Sequence, residues 1–213
     1  MLQPLRSSVS VVSLVVANAV PLFGVLYGGW DLYTIFMLYW VESAVIGFYN
    51  ILKFTKFKGG LKFFLIPFFL LHYGAFMAAH LVFLTAFFAP GAGSFESFPL
   101  KPILAALWET APAIVGLFVS HGVSFATNFI GKQEYLRVTE QQVMEAPYSR
   151  IVIMQVSIIF GGLLFQVFGL PVYALGLLIV LKTGVDVVAH LRQHAKVQAR
   201  PPILSSTPRA SKT

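Results

Sequence analysis

Six stretches of roughly twenty or more apolar residues, each closed off by charge, glycine or proline, run along this chain over residues 9–28, 32–53, 63–88, 103–130, 150–170 and 171–191. A helix needs about 20 such residues to cross the hydrocarbon core of a bilayer, where every backbone polar group must be satisfied within the segment itself. The expected fold is therefore all-α: an integral membrane bundle of about six transmembrane helices, forming one domain over residues 1–199. The third and fourth stretches exceed the minimum, and Pro67 and Pro112 mark kink sites within them. Only Gly169-Leu170-Pro171 separates the last two, which predicts a tight antiparallel hairpin. Beyond Arg200, PPILSSTPRASKT lacks apolar periodicity and is expected to be a disordered tail.

Composition agrees with that solvent. Of 213 residues, 57% are hydrophobic and 11% charged, and the mean hydropathy is +0.79. A soluble domain carries about 25% charged residues, and a disordered chain is poor in the aromatics that include 21 Phe here. With no cysteine, disulfide frameworks, thiolate metal sites and a cysteine nucleophile are excluded.

The formal charge of +7 would raise nucleic acid as a partner in a soluble protein. Its placement points to topology instead. Arg6 precedes the first stretch, Lys53, Lys56, Lys58 and Lys62 separate the second and third, and Lys132, Arg137 and Arg150 lie between the fourth and fifth. Arg192, Lys196, Arg200, Arg209 and Lys212 follow the sixth, while the opposite side has only Lys101. Retention of positive charge on the cytoplasmic face puts both termini there, with anionic lipid rather than nucleic acid as the partner of the basic loops. The start, with Arg6, an apolar run and Ala17-Asn18-Ala19, imitates a cleavable secretory signal, but apolar character continuing to Tyr27 favours a retained span. Gln133–Arg150 mixes Leu136, Val143 and Met144 with charges, as a segment lying along the membrane surface does.

Ionisable side chains inside hydrocarbon cost about 2.5–3.5 kcal/mol each on insertion scales and need a partner, a cavity or a function. Glu42, His72, His121, Lys182, Asp186 and His190 all fall within the stretches. At 1.5 Å rise per residue, Glu42, His72, His121 and Asp186 reach a common level in the inner half of the bilayer. Helical spacing groups Glu42, Asn50 and Lys53 on one face, His121, Ser124 and Asn128 on a second, and Thr183, Asp186 and His190 on a third. These faces must turn inward, which predicts a polar pocket opening toward the cytoplasm.

Imidazole and carboxylate are ligands for Zn²⁺ or non-haem Fe, and a catalytic metal site uses three protein ligands and one open position. His72, His121 and Asp186 supply such a set, with Glu42 and His190 as proton-transfer groups and Asn50, Lys53, Ser124, Asn128 and Lys182 in support. This describes a metal-dependent intramembrane hydrolase acting on a lipid or peptide. The structural alternatives are ion pairing of Glu42 with Lys182 and of Lys182 with Asp186, and an interior hydrogen bond for His80. A proton-coupled transporter or channel would use the same groups as a relay, completed by assembly of a homo-oligomer, and a haem carrier would use His72 and His121 as axial ligands.

The strings Tyr39-Trp-Val-Glu-Ser-Ala-Val-Ile-Gly-Phe-Tyr-Asn-Ile-Leu-Lys53, His72-Tyr-Gly-Ala-Phe-Met-Ala-Ala-His80, Ser120-His-Gly-Val-Ser-Phe125 with Asn128, Pro147-Tyr-Ser-Arg-Ile151, and Leu181-Lys-Thr-Gly-Val-Asp186 with His190 resemble the markers of a bacterial membrane family, domain of unknown function 6498. The resemblance implies a multi-pass protein of the bacterial inner membrane without an assigned activity. Phe76-Met-Ala-Ala-His80, and His121 with Asn128, are more distantly similar to elements of the membrane-embedded CAAX-type proteases, whose Glu-Glu-x-x-x-Arg element is missing here. That family's catalytic roles do not carry over. It does illustrate that carboxylate and histidines on separate helices activate water within a membrane.

Overall fold

The computed structural model describes residues 23–24, 27–91 and 99–168, and among these residues the chain is entirely helical and turn, without strands. Nearly all of stretch 9–28, all of 171–191 with Lys182, Asp186 and His190, and the tail lie outside the described residues. Among the described residues four segments are long and apolar enough to cross a membrane: Leu32–Phe54, Lys62–Phe88, Ala111–Gly131 and Glu140–Phe160.

Helix α1, Leu32–Phe54, starts where Asp31 accepts a hydrogen bond from the Thr34 amide at 2.7 Å, satisfying one of the orphan donors of the first turn. It ends at the lysine-rich turn in which Gly59 takes φ +99°, a left-handed conformation that glycine adopts without a Cβ clash. Helix α2, Lys62–Phe88, runs continuously through Pro67.

The stretch expected as one helix over 103–130 is instead divided. Helix α3, Leu100–Glu109, stops at Thr110, and α4, Ala111–Ser124, begins beside it. The cause is Pro112, which lacks an amide hydrogen and whose ring would strike the Trp108 carbonyl in a continuous helix; at the second position of a new helix it costs nothing. Thr110 closes α3, its hydroxyl donating to the Ala106 carbonyl at 2.7 Å. The membrane-length segment thus starts at Ala111 rather than 103. From Phe125 to Gly131 the chain continues as a π-helix.

Between 133 and 147, α5, Glu140–Glu145, is set by a capping box in which Thr139 accepts from the Gln142 amide while the Gln142 side chain accepts from the Thr139 amide. Helix α6, Tyr148–Phe168, follows.

Helix α1 packs against each of α2, α3, α4, α5 and α6. Its Ile35, Phe36, Tyr39 and Phe54 form the core with Phe69, Tyr73 and Met77 of α2 and Ile151, Met154 and Ile158 of α6. Two polar ties fix α1 against α2: the Trp40 indole donates to the Met77 carbonyl at 2.7 Å, and the Tyr73 hydroxyl to the Ser43 carbonyl at 2.8 Å. Both use a carbonyl's second lone pair, so neither helix loses a backbone bond. Gly47 permits the contact, since a Cβ there would stand 2.6 Å from the Tyr73 ring.

Candidate functional site

The C-terminal ends of α1 and α4 and the N-terminal end of α6 line a cavity of about 200 Å³ with Tyr49, Asn50, Lys53, His121, Ser124 and Arg150, joined by Glu134 and the aromatic rings of Phe125 and Phe129. Every helix delivers its part by local spacing. Tyr49, Asn50 and Lys53 occupy the last turns of α1, and His121 and Ser124 the end of α4. Arg150 lies two residues into α6.

Glu42 and Arg150 form an ion pair at 2.8 Å between α1 and α6, with side chains 19% and 32% exposed. Removing either partner would leave a half-buried charge without this compensation, so the pair locks α6 to α1 beside the cavity. The partner offered by the sequence, Lys182, lies outside the described residues, and the ion pair seen is with Arg150. Counted by sequence as a topology-setting loop charge, Arg150 lies inside the helix, a placement that marks a charge turned inward rather than toward lipid headgroups.

His121 stacks on Tyr49, ring centroids 6.3 Å apart, and lies within electrostatic range of Arg150, Glu42 and Lys53. Tyr49 is held in turn by its hydroxyl, which donates to the Phe118 carbonyl at 2.8 Å, and Gly122 leaves the space that the hydroxyl needs. Asn50 is buried and its amide donates to the Val143 carbonyl at 2.8 Å, pinning α5 and the segment around it over the cavity. The Lys53 ammonium lies over the Phe129 ring, 5.5 Å from its centroid.

The π-helical stretch belongs to the same wall. It places Phe125 and Phe129 along the cavity, and its last amide, Lys132, is shared between the carbonyls of Thr127 at 3.1 Å and Asn128 at 3.2 Å. A π-helix of seven residues is unusual in length and has poorer hydrogen-bond geometry than an α-helix; it persists where surrounding contacts compensate, often at functional sites. Asn128 bonds Ser124 and Lys132, so it orders this wall from within.

Glu42, Asn50, Lys53, His121 and Ser124 are thus brought together, on two helices with Arg150 on a third. His72 is not in the cavity wall. It lies on the exposed side of α2, with Nδ1 2.7 Å from the Tyr148 hydroxyl and its ring stacked on Phe68. His80 is buried on α2, its Nδ1–H donating to the Phe76 carbonyl at 2.7 Å. Among the described residues no group of three His, Asp or Glu is placed to hold a metal ion. The pairing of His72 with His121 on one ion or one haem therefore has no counterpart in the cavity, where His121 stands without His72. Asp186, His190 and Lys182 lie outside the described residues. Sequence reasoning missed Tyr49, Glu134 and the role of Arg150; Tyr49 carried a signal, being one position from Asn50 within the polar end of α1.

Neither a curated protein nor a solved structure matches the chain. A family match covers residues 1–202, nearly the whole length, and the chain belongs to the Family of unknown function (DUF6498).

Proposed function

We propose that this protein is a multi-pass protein of the bacterial inner membrane, with six spans and cytoplasmic termini, that processes a membrane-borne lipid or peptide in the cavity between α1, α4 and α6, the reaction being hydrolysis. The observation that carries the reading is His121, an imidazole at the cavity wall with charged groups of both signs around it. Imidazole moves protons near neutral pH, and a site surrounded by oriented charge stabilises developing charge in a hydrolytic transition state. Tyr49 and Gly122 orient the ring. The Glu42–Arg150 pair holds the adjoining helices in register. A Zn or non-haem Fe ion, with His121 and Asp186 among its ligands, would supply the activated water.

Turnover of inner-membrane lipids and membrane peptides by the reconstituted protein tests this. His121→Ala should lower the rate about 100-fold or more, the usual contribution of a general acid–base group. Undiminished turnover in that variant would remove His121 from the mechanism, and elemental analysis of wild type against His121→Ala decides the metal. The Glu42–Arg150 contact between two helices favours a second reading, proton-coupled transport, because an interhelical ion pair opens when its carboxylate is protonated. Proton flux in liposomes that disappears in Glu42→Gln, without substrate turnover, would select it.

A further inference from the structure

The hydrogen-bonding inventory of the cavity distinguishes groups that are satisfied from groups that are not. Tyr49 donates to the Phe118 carbonyl, Asn50 to the Val143 carbonyl and Arg150 to Glu42, and the Ser124 hydroxyl accepts from Asn128. Two groups differ. Among the described residues the half-buried Lys53 ammonium has no carboxylate within ion-pair distance and no hydrogen-bond acceptor, only the face of Phe129. The half-buried His121 imidazole likewise has a ring contact with Tyr49 and no hydrogen bond. Glu134, the carboxylate on the cavity wall, is exposed and acts on Lys53 only at longer range. An ammonium taken out of bulk water without an acceptor is costly, and a ring face returns only part of that cost. The cavity therefore presents two N–H donors, one carrying a full positive charge, to whatever enters it.

We propose that the ligand of this cavity carries a phosphate group, bound by Lys53 and His121 with Arg150 adding to the field. Phosphate matches the site: it accepts several charge-assisted hydrogen bonds at once, and Lys presents a compact point charge to it. It also fits the setting, at the lysine-rich end of α1 where phospholipid headgroups lie. This deepens the hydrolase reading by giving its substrate class, a phosphate-bearing molecule whose source is either a membrane phospholipid or soluble phosphate.

Native mass spectrometry of the full-length protein in detergent tests it with three probes: short-chain phosphatidic acid, diacylglycerol with the same chains, and inorganic phosphate. Phosphatidic acid should bind and diacylglycerol should not. Lys53→Met should weaken binding about tenfold or more, as loss of a hydrogen bond to a charged group does, while Lys53→Arg retains most of it and Lys56→Met, at an exposed lysine outside the cavity, leaves it unchanged. Displacement by inorganic phosphate, with its own Lys53 dependence, supports the same chemistry; if inorganic phosphate alone binds, the source is soluble. Equal binding of diacylglycerol and phosphatidic acid, or equal binding by wild type and Lys53→Met, overturns the proposal. Should Lys53→Met fail to fold, His121→Gln in the same assay decides. Lys53-dependent binding without any turnover would leave this inference standing and overturn hydrolysis, whereas turnover of uncharged lipids that ignores Lys53→Met would do the reverse.

Discussion

The spans Leu32–Phe54 and Ala111–Gly131 are equally apolar, with a mean hydropathy of 1.5 in each, yet 56% of the most apolar window of the first is buried inside the protein against 6% of the second. Hydropathy reports the solvent a helix tolerates. It does not report its neighbours. What separates the two is shape and polar punctuation. Helix α1 carries Trp40, Ser43, Gly47 and Asn50, each used in an interhelical contact or close approach. Helix α4 carries Val115, Val119 and Val123, all exposed, and contributes to the cavity mainly through its last turn. Lipid chains are as apolar as leucine, so association within a membrane relies on packing and hydrogen bonds, and α1 has both.

The widest gap between the two helices should appear on truncation. Phe36→Ala, at a side chain only 1% exposed, should cost about 3–5 kcal/mol, whereas Val119→Ala should stay within about 0.5 kcal/mol. Unfolding of both variants in detergent measures this, and an equal loss at Val119 would mean that the outer face of α4 is covered by another protein surface. Next comes the ion pair: Arg150→Ala should destabilise by about 2–3 kcal/mol, and a double-mutant cycle with Glu42→Gln should recover part of that as coupling. Additive losses would show that the two residues act separately.

Glycines sharpen the same contrast. Gly47→Ala drives a methyl into the Tyr73 ring and should cost about 1–3 kcal/mol, while Gly116→Ala meets open space on α4 and should gain up to about 1 kcal/mol from helix propensity. Comparable melting temperatures for the two would break the comparison. The smallest effect expected is Asn50→Ala, about 1 kcal/mol, visible as faster amide hydrogen exchange around Val143 rather than as a large change in melting. Unchanged exchange there would detach α5 from the end of α1.

Sequence alone located α1 and α2 to within a residue or so, because Asp31 and the lysine-rich turn bound the first run and that turn and Pro90 bound the second. In the 103–130 run Pro112 was legible as a kink site but not as a full break, because Pro67, marked in the same way, lies inside an unbroken helix, whereas the chain at Thr110 divides into two. Within the site, i, i+3 and i, i+4 spacing grouped Glu42 with Asn50 and Lys53, and His121 with Ser124, since those residues share a helix. Which helices then meet is a tertiary matter. Depth placed His72 level with His121, but depth says nothing about azimuth, and His72 turns to Tyr148 instead. Arg150 was legible as a charge and illegible as a partner, because nothing local in Pro147-Tyr-Ser-Arg150 says that the side chain reaches back 108 positions to Glu42.

The π-helical turns of residues 125–131 carry a consequence for how this wall tolerates change in length. Such a stretch holds more residues per turn than its surroundings, so removing any one of them would let ordinary 13-atom rings close throughout. Six residues of α-helix, at about 100° each, turn through nearly the same angle as the seven π-helical ones, so the chain beyond Gly131 would keep close to its present direction and the loss would be absorbed within the wall beside Lys53. By hydropathy the shortened segment would still count as an intact crossing, and the turn that follows it would still meet the same neighbours.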